Sequence, residues 1–218
     1  CLCGKFKIIK TEGETVQRCS GGIKCTYQYI ESLKHFVSKK AMNIDGLGDK
    51  QIEKFIELKF ISKKLDIYYL SGFKKKITDL EGFGLKSYEN LIQSIEKSKK
   101  TTLSRFLFSL GLRYVGENNS ELLANYFQSK ESFKRLISSK NLYLELENID
   151  GLGTKASNSF IEYFRNKDYL DESISILNLL DIEIIKNDNS LSNVSILFTG
   201  TLYDLSRDRA KDLAKKKG

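Results

Sequence analysis

Two sets of residues in this chain have the types and spacing to do chemistry. The first is Cys1-x-Cys3 followed by Cys19-x5-Cys25, which places all four cysteines within the first 25 residues. Four thiols on two turns suit a metal ion, and Gly4 and Gly21-Gly22 permit the tight backbone that draws sulfurs together. Zinc takes four thiolates at about 2.3 Å, and binding it supplies folding energy that so short a segment lacks. With four protein ligands no position is open to water, so the site is expected to be structural. No secretory leader pattern is visible, which favours metal over disulfides. One spacing is unusual, because zinc knuckles commonly carry two residues between their first two cysteines and Cys1-Leu2-Cys3 has one. Either Cys1 is a ligand on a tighter turn, or the fourth ligand lies upstream of residue 1; Cys3, Cys19 and Cys25 serve in both cases. His35, the single histidine, joins them only if its helix folds back, and its ordinary place is the surface or the edge of a core.

The second set is a family of Gly-x-Gly turns. Asn43-Ile44-Asp45-Gly46-Leu47-Gly48 recurs as Asn148-Ile149-Asp150-Gly151-Leu152-Gly153, and Lys50 and Phe55-Ile56-Glu57 recur as Lys155 and Phe160-Ile161-Glu162 at the same shift. Between them lie Leu80-Glu81-Gly82-Phe83-Gly84-Leu85-Lys86 and a degenerate Gly111-Leu112-Arg113-Tyr114-Val115-Gly116. Glycines between two helices can take φ > 0, so that successive N–H groups converge at the start of the second helix and form an anion nest. Leu47, Phe83 and Leu152 should pack under their turns. Lys50, Lys86 and Lys155 stand in the first helical turn, where a cation opposes the helix dipole; an anionic ligand gives their recurrence a reason. The expected phosphate-binding residues are Gly46, Gly48, Lys50, Gly82, Gly84, Lys86, Arg113, Gly116, Gly151, Gly153 and Lys155. Backbone nests hold phosphates without reading bases, so the expected binding is to a duplex, salt-sensitive and tolerant of sequence.

The surrounding chain must position these groups. Its 218 residues are 40% hydrophobic with a mean hydropathy of -0.34, which allows a real core and excludes disorder and a membrane span. Thirty-six Lys and Arg against 28 Asp and Glu leave +8, a balance that suits a polyanionic partner. There is no proline, so glycine is the main helix breaker. Residues 1–26 are short, basic and turn-rich and need a staple. From Tyr27, Ile30, Leu33, Phe36 and Val37 fall on one helical face, and amphipathic helices broken by glycines continue to about residue 180 with almost no alternation of period two. The aromatic residues sit at helical core positions. Four hairpin units are expected at about 44–57, 80–97, 110–127 and 148–165. Asn187-Asp188-Asn189-Ser190 reads as a linker, Val194–Thr199 as a buried strand and Ser206 as the cap of a helix running to Lys217. The fold class is mainly α: a four-cysteine finger (1–26), a tandem helix-hairpin-helix domain (27–187), and a linker with the start of an α/β domain (188–218). One histidine and scattered carboxylates offer no nucleophile–base pair, so the piece is expected to be inactive alone.

This order resembles the C-terminal half of bacterial NAD-dependent DNA ligases, in which a zinc finger, four helix-hairpin-helix motifs and a BRCT domain follow one another. The stretches Ala41–Lys50, Glu96–Leu107 and Leu112–Glu117 are similar to that family's characteristic sequence, and Phe198–Leu202 with Leu205–Lys211 to the opening of its BRCT domain. The resemblance implies a parent enzyme that moves AMP from NAD to its own lysine and then to the 5′-phosphate of a nick, with Mg assisting, in the bacterial cytoplasm at the nucleoid. It also implies partners: nicked double-stranded DNA, and adenylation and OB-fold domains upstream of residue 1. The Lys-x-Asp-Gly nucleophile motif is absent; Asn43 stands where the similar Asn43-Ile44-Asp45-Gly46 would need lysine. The alternative is a stand-alone zinc-finger and helix-hairpin-helix module of a repair protein, and a purely structural protein would show no salt-dependent DNA affinity.

Overall fold

The computed structural model describes residues 1–10, 15–183, 196–200 and 205–216, and divides the chain into two compact units, Cys1–Ile182 and Glu183–Gly218. The first unit opens with an antiparallel ribbon of β1 (Ile8–Ile9) and β2 (Arg18–Cys19), registered Ile8 to Cys19, then a 3₁₀ turn at Gly22–Lys24. α1 (Thr26–Val37) follows directly and buries Leu33, Phe36 and Val37, the face expected from their spacing.

After α1 come α2 (Asp49–Glu57), a long 3₁₀ segment (Lys64–Phe73), α3 (Lys74–Thr78) and α4 (Leu85–Ser98). β3 (Lys100–Thr102) leads into α5 (Leu103–Ser109), α6 (Glu117–Phe127), α7 (Lys130–Ile137), α8 (Leu142–Glu147), α9 (Thr154–Arg165) and α10 (Lys167–Leu179). The fold is mainly α, as composition and periodicity require. Three pairs of these helices, α3–α4, α5–α6 and α8–α9, are joined through glycine turns. Turns over residues 38–42 stand in for the first helix of the leading unit. One pairing escapes the periodicity: β4 (Asp181–Glu183) returns to β3, with the Asp181 N–H donating to the Lys99 carbonyl at 2.8 Å.

One apolar core runs through the helices, and five phenylalanines lie at its centre. Phe133 packs its ring against Phe106, Phe127, Phe160 and Phe164 at centroid separations of 5.2–6.5 Å. These rings come from α5, α6, α7 and α9, so the sequence-distant hairpins share one set of contacts, and edge-to-face geometry adds to the area they bury.

In the second unit, Ser206 accepts a hydrogen bond from the Arg209 N–H at 3.3 Å and caps α11 (Arg207–Lys216), as expected. The buried strand expected at Val194–Thr199 is not seen over 196–199, where there is no regular structure and Ile196 and Leu197 are exposed. A strand needs neighbours to take up its N–H and C=O groups, and none pairs with this one among the described residues. The expected linker at 187–190, Val194, Ser195, Thr201 and Lys217 lie outside the described residues.

Candidate nucleic-acid interface and cysteine cluster

The four hairpin turns share one backbone pattern built from two different glycines. The first holds a left-handed conformation, with φ of 89° at Gly46, 76° at Gly82 and 83° at Gly151. It occupies the third place of a tight turn, closed by Phe83 N–H to Leu80 C=O at 3.0 Å, Val115 to Leu112 at 3.1 Å and Leu152 to Ile149 at 3.1 Å. In the third turn the left-handed residue is Tyr114. The second glycine differs from the expectation of positive φ: Gly48, Gly84, Gly116 and Gly153 have φ between -68° and -80° with extended ψ. Each is the N-cap of the helix that follows, and an N-cap is extended by nature.

No side chain caps any of these four helices. By contrast Thr102, Ser129 and Asn166 cap α5, α7 and α10 with their own oxygens. α1, α3 and α8 also lack a side-chain cap; the four hairpin helices differ from them in opening on a glycine, which leaves their first N–H groups without a side-chain acceptor at the cap. All seven glycines of the turns are exposed, as are Lys50, Lys86 and Lys155. Among the described residues none of these three lysines has a carboxylate within ion-pair distance. Between the glycines, Leu47, Phe83 and Val115 are buried and Leu152 is half-buried, so each turn is pinned by an apolar peg. Arg113 is half-buried beside the third turn.

The turns come in adjacent pairs. Gly46 lies against Leu91 of α4, where an added Cβ would stand 3.4 Å from the leucine Cβ, and the Asp45 N–H donates to Ser94 Oγ at 2.7 Å. A recess of about 320 Å³ between the first two turns is lined by Asp45, Gly46, Gln51, Gly82 and Phe83 among others. Gly151 meets Leu122 of α6 in the same way, and Lys155 reaches over the Tyr114 ring, joining turns three and four. The two pairs are linked in turn. Lys40, ahead of the first turn, pairs with Glu117, the first residue after Gly116, at 2.7 Å, and Arg105 of α5 donates to the carbonyls of Lys39 and Ala41. Sequence reasoning found the turns but not this pairing, for which their chain spacing carries no signal.

The four thiols converge. Cys1 Sγ stands 3.7 Å from Cys25 Sγ and Cys3 Sγ 3.8 Å from Cys19 Sγ, and all four lie within 4.8 Å of one another. Sulfurs at ~2.3 Å from a common tetrahedral centre stand ~3.8 Å apart. The cluster can hold a metal ion, and Cys1, the uncertain member by spacing, belongs to it. Gly4 and Gly22 take positive φ of 65° and 51°. Gly21 serves differently: a Cβ there would lie 2.3 Å from Phe6. Cys25 caps α1, which receives the cluster on a rigid base. The Lys5 N–H above all, helped by Phe6, lowers the Cys3 thiol to about 7, while burial and then the neighbouring thiols push Cys19 up. His35 stays outside; its Nε2 lies 2.7 Å from the Phe108 carbonyl, and its ring packs against that residue.

Buried Lys64 carried no signal in the sequence. It donates to the Leu110 carbonyl at 3.0 Å from inside the core, and burial lowers its pKa to about 8.

Residues 105–171, from α5 into α10, match the family described as "Helix-hairpin-helix motif". The whole chain is 37% identical to a DNA ligase of Rickettsia africae over 230 residues and 34% identical to one of Nitrobacter winogradskyi over 235, each match covering 33% of the relative. A DNA ligase of Rickettsia bellii is 38% identical over 94% of the chain and 32% of its own length. Over its whole length the chain is similar to part of these DNA ligases. It spans about a third of the length of the curated relatives it matches, corresponding to their C-terminal third. Among the described residues no helix is long and apolar enough to cross a membrane.

Proposed function

We propose that this chain is the duplex-holding part of an NAD-dependent DNA ligase that seals nicks during replication and repair in the bacterial cytoplasm, at the nucleoid. The observation that carries the reading is the set of four exposed helix N-termini that side chains leave uncapped, each opened by a glycine N-cap. Backbone N–H groups at a helix start hold phosphate through geometry and the helix dipole together. Gly46, Gly48, Gly82, Gly84, Gly116, Gly151 and Gly153 shape the cradles, and Lys50, Lys86, Arg113 and Lys155 add positive charge beside them. One duplex spans both pairs of turns, gripped by its backbone without base readout.

Residues 1–26 form a finger in which Cys1, Cys3, Cys19 and Cys25 hold zinc; the ion supplies folding energy there and no catalysis. Residues 27–187 are the duplex-binding domain, and 188–218 are a linker with the opening of a BRCT domain. The adenylation chemistry, with NAD and Mg, belongs to adenylation and OB-fold domains outside these residues, so this stretch by itself does not seal nicks. Fluorescence anisotropy with nicked and intact duplexes across a salt series tests the reading. Expected are similar affinities for unrelated sequences and a log–log salt slope of several units. Absence of binding at ~50 mM salt, or a slope near zero, would reject it, and an adenylated species on incubation with NAD would overturn the assignment of the chemistry elsewhere.

A further inference from the structure

The third turn departs from its counterparts at several positions: Arg113 stands where the others carry Asp45, Glu81 and Asp150, Asn118 where they carry lysine, and Tyr114 where they carry glycine. Where Gly46, Gly82 and Gly151 hold the left-handed backbone, Tyr114 holds it with φ of 61°. That conformation strains any residue with a Cβ, and a bulky aromatic is an uncommon occupant. The local structure fixes it there. Val115 N–H closes the turn onto Leu112 C=O at 3.1 Å, and Asn119 Nδ2 donates to the Tyr114 carbonyl at 2.7 Å.

The ring does not offset its strain by burial. Tyr114 is 40% exposed, whereas its neighbour Val115 fills the core beneath the turn. Instead it stands between two cations: Arg113 Cζ lies 4.9 Å from the ring centroid, and Lys155 Nζ, from the start of α9, lies 5.8 Å away. An exposed aromatic held at a strained position between two phosphate-seeking cations, at the seam of two adjacent turns, points to a ligand with both charge and apolar surface.

We propose that Tyr114 is a DNA-contact residue whose ring lies against the deoxyribose and base edges between the phosphates held by the third and fourth turns. The inference rests on the duplex-binding reading above and adds to it a contact that is not ionic. A duplex offers such surface beside its phosphates, at the deoxyriboses, and packing against sugars tolerates any sequence. The contact explains why this turn keeps a side chain where the other three keep none.

The test compares Tyr114→Gly, Tyr114→Phe and Lys155→Gln in the 218-residue chain by anisotropy on a nicked duplex across a salt series, with circular dichroism to show that each variant is folded. Glycine is the residue of the other three turns and relieves the backbone strain. Tyr114→Gly is expected to weaken binding about tenfold with the salt slope unchanged, because no phosphate contact is lost. Tyr114→Phe should bind as the natural chain does, and Lys155→Gln should lower the slope by about one. Unchanged affinity in Tyr114→Gly, or equal loss in Tyr114→Phe, overturns the proposal while leaving duplex binding intact. Failure of the natural chain to bind at all removes the underlying reading instead.

Discussion

The second glycine of each hairpin turn offers a way to separate the fold from the proposed phosphate contact. Gly84, Gly116 and Gly153 are extended N-caps at φ of -72°, -80° and -69°, a backbone any residue adopts, and a Cβ at each meets nothing within 4 Å. Serine is a slightly better N-cap than glycine, by a few tenths of a kcal/mol, because its oxygen accepts from the N–H groups of the first turn. Those are the groups assigned to phosphate. The triple variant Gly84→Ser, Gly116→Ser, Gly153→Ser should therefore be as stable as the natural chain, or more so by up to ~1 kcal/mol. Its helices, however, arrive at the duplex with their amides occupied and the approach narrowed. If each cradle contributes about 1 kcal/mol, three together are worth ~3 kcal/mol, or about 100-fold in Kd. Urea denaturation measures the first quantity and anisotropy on a labelled duplex the second. Binding within twofold of the natural chain, in a variant of unchanged stability, would refute the assignment of phosphate to these amides. Gly82→Ala supplies the contrast: at φ of 76° it should cost the fold about 1 kcal/mol through left-handed strain.

Other expectations concern the finger and the core. Metal analysis should find one zinc per chain, and Cys25→Ser should release it while circular dichroism retains the helices beyond α1; a content well below one per chain counts against a four-thiolate site. Phe133→Ala removes the ring that touches four other phenylalanines and should cost about 3–5 kcal/mol in urea denaturation, so a loss under 1 kcal/mol would contradict the packing. Lys64, lowered to about 8 by burial, sheds its proton in the folded chain before the unfolded chain does, so its unfavourable contribution is full below pH 8 and fades as pH rises. Stability should gain about 2 kcal/mol between pH 7 and 9.5. Above ~10 the order reverses, because burial pushes Tyr29 and Tyr163 up and only the unfolded chain ionises them. Lys64→Met should flatten the rising limb, and an unchanged pH profile would show that this lysine is not its source.

What the sequence by itself determined about this protein is what depends on short stretches of chain. The first glycines, the pegs between them, the buried face of α1 and the Ser206 cap follow from steric rules acting over a few residues, so each was legible from residue type and spacing. The cysteine cluster was legible because thiols confined to 25 residues have few ways to part. The same local rules misread the segment before α11: an apolar run resembles a buried strand wherever it occurs, but a strand exists only beside a partner. Tyr114 was legible as the residue in place of the first glycine of a degenerate turn, but spacing does not show which way a strained turn directs its ring.

Only the tertiary structure decided how the repeated units meet. Nothing in the spacing of the turns says that the first packs on α4 and the fourth on α6, that Lys40 reaches Glu117, or that β4 returns to β3 across the hairpins. Burial of Lys64 beneath Leu110 is of the same kind. These contacts join residues far apart in the chain, and their free energy comes from surfaces that exist only once the helices have packed. A local pattern fixes the conformation of a turn, but the face it shares with another turn is set by the core that both help to fill.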